Sequence, residues 1–228
     1  MGNINTRTSE KIQYITRKQN IYENYVKGIL DCLFALIILI LSLPLILISC
    51  LLIKIDSKGP VIFTQIRVGK DCKRFKLYKM RTMKLNTHDD SGRKLDDKER
   101  VTRVGKVIRK LSLDELPQMV NILKREMSFI GPRPLLIRYL PYYTDEEIER
   151  HRVLPGITGL AQINGRSNLQ WEDRFKYDIE YVNNISFVLD MKILYKTILK
   201  VIKGDDTSTV RPDYLVDLDE HRNFKSFR

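Results

Sequence analysis

From Cys32 to Ile53 the chain runs through about 22 uncharged, mostly apolar residues, bounded by Asp31 and Lys54, with Pro44 near the middle. As a straight helix this run would measure about 33 Å, enough to cross a ~30 Å hydrocarbon core. A segment of this kind commits the protein to a membrane and leaves open how it enters. Pro44 supplies no N–H and its ring crowds the preceding turn, so a kink or break is expected there. Each half alone would be about 15–18 Å long, too short to span. Two arrangements follow: one kinked crossing, or a helix–break–helix that dips in and returns to the same side.

Flanking charge separates them. Arg7, Lys11, Arg17, Lys18 and Lys27 precede the run, and Lys54, Lys58, Arg67, Lys70 and Lys73 follow it. A spanning segment carries its Lys/Arg excess on the cytoplasmic side; here the two sides match, so both flanks read as cytoplasmic. The re-entrant form satisfies this, and Ser42, close to Pro44, is placed to help satisfy the backbone groups freed at the break. The run starts too late, is too long and lacks an A-x-A site for a cleaved signal peptide.

After the run roughly 175 residues remain, enough for one domain with its own core. No linker-like stretch or internal repeat divides them. The net charge of +12 suits anionic lipid, phosphorylated substrates or nucleic acid, and does not choose among them. C₂H₂ spacing, an aromatic RNA-binding strand and a P-loop are all missing, so no nucleic-acid partner is expected. Cys32, Cys50 and Cys72 lack C-x-x-C spacing and read as reduced thiols, and three scattered histidines make no zinc site. Met1-Gly2 with Thr6 only loosely fits a myristoylation pattern. The sequon at Asn184 would be silent in a cytoplasmic domain.

Along the domain, Val61–Phe63 and Phe75–Tyr78 read as a β-hairpin turning at Gly69-Lys70-Asp71. Residues 86–100 are polar and aperiodic, a mobile loop by pattern. Thr102 to Lys110 reads as a basic amphipathic helix with Val104, Val107, Ile108 and Leu111 on one face. A helix is expected to begin near Asp114, with Leu116, Val120 and Leu123 inward and Pro117 in its first turn. Asp114 is the preferred N-cap there, over a Ser112/Glu115 capping box. Pro141 to Val153 suggests a polar helix, and Pro155 to Arg166 a Gly-rich loop. Phe187 to Ile202 suggests a long apolar helix with Lys192, Lys196, Lys200 and Lys203 along one side, either interfacial or packed on the core.

Four clusters carry candidate chemistry. Asp114-Glu115 places two acids at a helix start, which is ordinary capping or, functionally, a carboxylate nucleophile or metal ligand beside a phosphate-binding helix end. Lys79 and Arg81 share one face if the strand reaches them, as solvated edge residues or phosphate ligands. Gly131-Pro132-Arg133-Pro134 holds one arginine between two prolines, a loop corner or a guanidinium held ready for phosphate. The glycines of Pro155 to Arg166 form a turn series or let backbone approach a ligand.

Together, and following a membrane segment, these motifs resemble the bacterial sugar transferases, the monotopic phosphoglycosyl transferases that initiate glycan assembly on a polyprenyl phosphate. The resemblance covers about Lys27 to Gly204. It rests on Gly59-Pro60-Val61-Ile62-Phe63-Thr64-Gln65, on Tyr78 to Met83, on Arg109 to Gln118, on Gly131 to Pro134 and on Pro155 to Arg166. One departure lies at the membrane break, where Leu43 separates Ser42 from Pro44 in place of the adjacent Ser-Pro pair common in the family.

The resemblance implies an α+β, mostly helical fold: a re-entrant membrane helix–break–helix and a small cytoplasmic catalytic domain with a β-hairpin and interfacial amphipathic helices. The expected divisions are an N-terminal extension at 1–26, the membrane segment at 27–56, the catalytic domain at 57–204 and a tail at 205–228. It also implies transfer of a sugar-1-phosphate from a UDP-sugar to undecaprenyl phosphate at the inner membrane, releasing UMP. Asp114 then matches the nucleophile that forms an aspartyl-phosphosugar intermediate, and Glu115 its dyad partner, which helps Asp114 hold Mg²⁺ or deprotonates the incoming acceptor. Lys79, Arg81, Arg109 and Arg133 match phosphate-neutralising groups, and Gln162 and Arg166 nucleotide or sugar contacts. Membrane lipid is an expected partner, and a homodimer is left open. A basic membrane-anchored scaffold without catalysis accounts for the charge and the apolar run, but not for two acids appearing with a proline-bracketed Arg133.

Overall fold

A computed structural model of the chain describes residues 20–89, 91–165, 169–203 and 216–226. A π-helical turn, Tyr22–Val26, leads into helix α1, Lys27–Asp56. α1 stays helical through Pro44, so the chain makes no helix–break–helix there. One missing N–H removes a single i→i−4 bond, and the turns on both sides keep theirs. Ser42 Oγ donates to Leu39 O at 3.4 Å. The buried residues of α1 are Asp31, Ala35, Ser42, Ser49 and Ile53. Three of them, Ala35, Ser42 and Ser49, recur every seven residues with small side chains, so one stripe of the helix packs closely while the rest stays apolar and exposed.

Strands β1 (Ile62–Val68) and β2 (Arg74–Met80) form the expected antiparallel hairpin, with Phe63 opposite Lys79 and Arg67 opposite Phe75. Its turn is tight: Asp71 and Cys72 both sit at positive φ. The polar stretch that follows has its own architecture. Asp89 accepts from Ser91 and Arg93, Arg93 also meets Glu99, and a capping box of Asp96 and Glu99 starts the short helix α2, Asp97–Arg100. Polar local bonding of this kind leaves no hydrophobic period to read.

Helix α3, Arg103–Lys110, is capped by Thr102, whose Oγ1 accepts from Gly105 N at 2.9 Å. Only Ile108 of its expected apolar face is buried outright; Val107 and Leu111 point outward, 58% and 56% exposed. The next element differs in kind from the expected α-helix. Leu113–Gln118 is a 3₁₀ turn, continued by the short helix α4, Met119–Leu123. Three residues per turn, in place of 3.6, rotate the inward face. Pro117, Gln118, Met119, Asn121 and Ile122 are buried, whereas Leu116, Val120 and Leu123 are only half-buried. Ser112, not Asp114, occupies the position before the first turn, left-handed at φ 54° and without a side-chain cap bond.

Strand β3, Ser128–Ile130, pairs in parallel with β4, Gly156–Thr158, inside the segment expected to be a loop. The backbones meet so closely that a Cβ on Gly156 would strike Gly131 N, which explains the glycines there without appeal to a ligand. The helix expected from Pro141 to Val153 is instead two 3₁₀ turns, Ile137–Tyr142 and Glu147–Arg152. Helices α5 (Leu160–Asn164), α6 (Trp171–Asn183), α7 (Phe187–Lys203) and α8 (Leu218–Ser226) complete the fold.

The core lies in separate clusters. Ala35 of α1 joins Phe75, Leu77, Met119, Ile122 and Met127. Ile53, near the other end of α1, joins Met80 and Ile108. β3, α5, α6 and α7 enclose a third around Tyr181 and Ile193, and Trp171, Phe175 and Tyr143 anchor a fourth.

Candidate active site

The site is built where β2, the loop after β3 and the 3₁₀ turn converge. β2 delivers Lys79 at the end of the strand face that carries buried Phe75 and Leu77. The left-handed Ser112 reverses the chain after α3, so Arg109 precedes the turn and Asp114 and Glu115 lie within it. Two prolines fix the backbone around Arg133. All five side chains line one open cleft of about 1040 Å³.

Glu115 is the electrostatic hub. Lys79 Nζ donates to its Oε1 at 2.9 Å, and Arg133 Nη2 donates to the same oxygen at 3.2 Å. Burial alone would raise this carboxyl, but the two cations and their hydrogen bonds outweigh it and hold it at about 2. Asp114 is a looser neighbour, with Oδ2 3.9 Å from Lys79 Nζ and its side chain 14% exposed. Burial dominates here and raises the Asp114 carboxyl; Lys79 opposes the shift and the Glu115 charge adds to it. Adjacent acids thus have opposite environments: one is tied down and ionised, the other desolvated and lightly held. A carboxylate with few hydrogen bonds is the better nucleophile of the two.

The remaining expected residues divide. Arg109 lines the cleft, with Nε donating to Thr82 Oγ1 at 2.7 Å. Gln162 also lines it; its Nε2 reaches Ile157 O at 3.5 Å, and its buried Oε1 has no partner among the described residues. Arg81 follows the last residue of β2, its N–H still donating to Val61 O at 2.8 Å, and it lines the same cleft. Its guanidinium is buried and donates to Lys58 O at 2.5 Å and Ser57 O at 2.7 Å, fastening the chain beyond α1. Arg166 lies outside the described residues.

Sequence reasoning missed four residues. Thr82 orients Arg109, as above. Arg67 projects into the same cleft from β1. Behind Arg133, the Arg150–Asp178 pair is almost fully buried, at 1% and 2% exposure. Arg150 Nη2 donates both to Asp178 Oδ2 and to Arg133 O, each at 2.8 Å, so a buried ion pair sets the backbone that carries Arg133. Arg67 had a readable signal, since the hairpin register puts Gln65 and Arg67 on the face of Phe75, Leu77 and Lys79.

Arg133→Lys should lower turnover about 10²-fold, because a point ammonium cannot reproduce a guanidinium fork on phosphate oxygens. Steady-state rates at saturating donor check this, and a near-normal rate would reduce Arg133 to a loop residue.

The bacterial sugar transferase family matches residues 22–204, and the chain belongs to it. The sugar transferase EpsL of Bacillus subtilis (strain 168) is 47% identical over 180 residues, 79% of this chain and 89% of that protein. The UDP-N-acetylgalactosamine-undecaprenyl-phosphate N-acetylgalactosaminephosphotransferase of Aeromonas hydrophila is 43% identical over 188 residues, 79% of this chain and 44% of that protein. The UDP-glucose:undecaprenyl-phosphate glucose-1-phosphate transferase of Escherichia coli (strain K12) is 40% identical over 179 residues, 75% of this chain and 39% of that protein. The chain thus spans less than half the length of the last two.

Proposed function

We propose that the protein transfers a sugar-1-phosphate from a UDP-sugar to a polyprenyl phosphate, releasing UMP. The observation that carries this reading is the pair of unlike carboxylates facing Lys79, Arg109 and Arg133 in one cleft. Asp114 attacks the sugar-bearing phosphorus and holds the phosphosugar as an acyl phosphate until the acceptor phosphate displaces it. Lys79 and Arg133 neutralise charge on the donor's two phosphates, and Glu115 fixes both cations in place. Magnesium takes one or two carboxylates and completes its shell with substrate phosphate and water. Asp114, with its loose contact, and the outer oxygen of Glu115 fit that requirement. Bound there, the ion would screen the donor's charge from the attacking carboxylate. UMP release from a panel of UDP-sugars, with and without polyprenyl phosphate, tests the reading. At least one sugar should give acceptor-dependent UMP, and none doing so would refute it. The curated relatives differ in sugar, so the panel includes both glucose and N-acetylgalactosamine donors.

The same proposal extends to topology: α1 enters one leaflet and both its ends stay on the cytoplasmic face. Both ends touch the same domain. Lys27 Nζ donates to Asp190 on α7 at 2.7 Å, while at the far end Asp56 Oδ2 accepts from Val104 N at 3.1 Å. A helix of 30 residues, about 45 Å if straight, cannot cross a bilayer and keep both contacts with a domain on one side. Outward Val107 and Leu111 on α3, with Val188, Tyr195 and Ile202 on α7, extend the apolar surface beyond α1. Cysteines placed at Asn5 and Ser91, in a background lacking the native three, should both resist an impermeant thiol reagent until cells are opened. Labelling at position 5 alone in intact cells would establish a crossing.

A further inference from the structure

The cleft contains a cation that the reaction as described does not use. Lys79 and Arg133 share the single Glu115 carboxylate, Arg109 donates to Thr82, and Arg81 donates to the carbonyls of Lys58 and Ser57. Arg67 is different. Its half-buried guanidinium donates to Gln65 Oε1 at 2.6 Å and reaches Pro134 O at 3.4 Å, both neutral groups. Its Nε is buried without a hydrogen-bond partner, and among the described residues it meets no carboxylate. Its charged neighbour is another cation: burial first, and the Arg133 guanidinium second, pull Arg67 down to about 10. Two guanidiniums facing each other in a partly desolvated recess oppose folding unless an anion joins them. A small cavity of about 40 Å³, lined by the cations Arg67, Lys79 and Arg133 and by Gln118 among others, lies between these side chains.

We propose that Arg67 and Arg133 form a subsite for the nucleotide phosphate of the donor, the one that departs as UMP. This rests on the transfer reaction proposed above and assigns the second of the donor's two phosphates. The order of groups fixes the direction. Asp114 contacts Lys79, Lys79 and Arg133 meet on Glu115, and Arg67 neighbours Arg133 in a cavity that Lys79 lines and Asp114 does not. A sugar-bearing phosphate against Asp114 therefore leaves the neighbouring phosphate for the two arginines. When an Asp114 oxygen bonds to the sugar-bearing phosphorus, the bond from that phosphorus to the bridging oxygen breaks. Its electron pair stays on the bridging oxygen, which becomes a terminal oxygen of UMP. The departing phosphate gains negative charge in that step, and a guanidinium without a carboxylate of its own stabilises it most.

A phosphate at this place could also belong to the lipid acceptor, and inhibition constants separate the two sources. UMP and uridine are compared as inhibitors of turnover in wild type, Arg67→Gln and Arg67→Lys, with the KM for polyprenyl phosphate measured alongside. The expected result is an inhibition constant for UMP raised about tenfold or more in Arg67→Gln and less in Arg67→Lys. Uridine inhibition and the acceptor KM should not move. An unchanged UMP constant overturns the subsite, as does an equal loss for uridine, which would mark a merely structural arginine. A raised acceptor KM with normal UMP inhibition assigns the arginine to the lipid phosphate and also overturns it. If Arg67→Gln does not fold, Arg67→Lys alone still separates UMP from uridine. A wild-type protein that releases no UMP from any donor defeats the transfer reading itself, an outcome distinct from failure of the variants.

Discussion

Asp114→Asn should abolish turnover, by about 10³-fold or more, while the protein keeps or slightly gains thermal stability. The loss follows from removing the charge that attacks phosphorus while preserving the shape of the side chain. The second half follows from the environment of Asp114. Its folded-state pKa is raised, chiefly by burial, so the ionised carboxylate is held against a desolvation cost. A group raised in this way opposes folding once pH exceeds its unfolded value, and a neutral amide removes that opposition. A donor labelled in its sugar-side phosphate should leave label on the wild-type protein without acceptor, and none on the variant. Full activity in Asp114→Asn would remove it as the nucleophile.

Arg150→Met should produce the largest loss of stability. The pair it breaks is almost fully buried, and the substitution strands the Asp178 carboxylate. Breaking one side of such a pair costs about 3–5 kcal/mol, on the order of a 10 °C fall in Tm for a domain of this size. It also frees Arg133 O from its 2.8 Å bond. Any protein that still folds should therefore turn over more slowly than wild type when assayed well below its own melting temperature. Arg150→Met combined with Asp178→Leu should recover stability but not turnover, since the Arg133 carbonyl still lacks its donor. Thermal melts of the two variants check this. A single variant melting within 1–2 °C of wild type would show that the buried pair is not what holds this part of the fold.

The elements legible from sequence were those with one dominant period. The apolar run became α1, the alternation around Phe63 and Phe75 became the hairpin, and Phe187 to Ile202 became α7 to within a residue. Elements that failed had competing signals. Leu113–Gln118 carries 3–4-residue spacing, yet Pro117 removes a donor and the chain takes a 3₁₀ turn. Helix α6 was passed over although Trp171, Phe175, Asp178 and Val182 carry its period, because a buried acid breaks the apolar pattern until its partner Arg150 is known. Pro44 was over-read: a proline removes one bond, and the packed stripe of Ala35, Ser42 and Ser49 supports the helix on both sides of it.

The candidate site follows the same division. Asp114, Glu115, Lys79 and Arg133 were found because each is unusual where it stands, and the fold brings them together. Arg81 lines the same cleft as Lys79, with its guanidinium on the carbonyls of Ser57 and Lys58. Arg150 gave no local signal, since its importance lies in a pairing across 28 residues with Asp178, whereas Arg67 was marked only by the hairpin register that puts it on the face of Lys79.

The central claim is transfer of sugar and phosphate together, and following one phosphorus atom tests it most directly. A UDP-sugar labelled in the sugar-side phosphate, incubated with the protein and polyprenyl phosphate in membranes, should give label in the lipid fraction and unlabelled UMP. Label retained in UDP, with sugar alone passing to the lipid, would contradict the account.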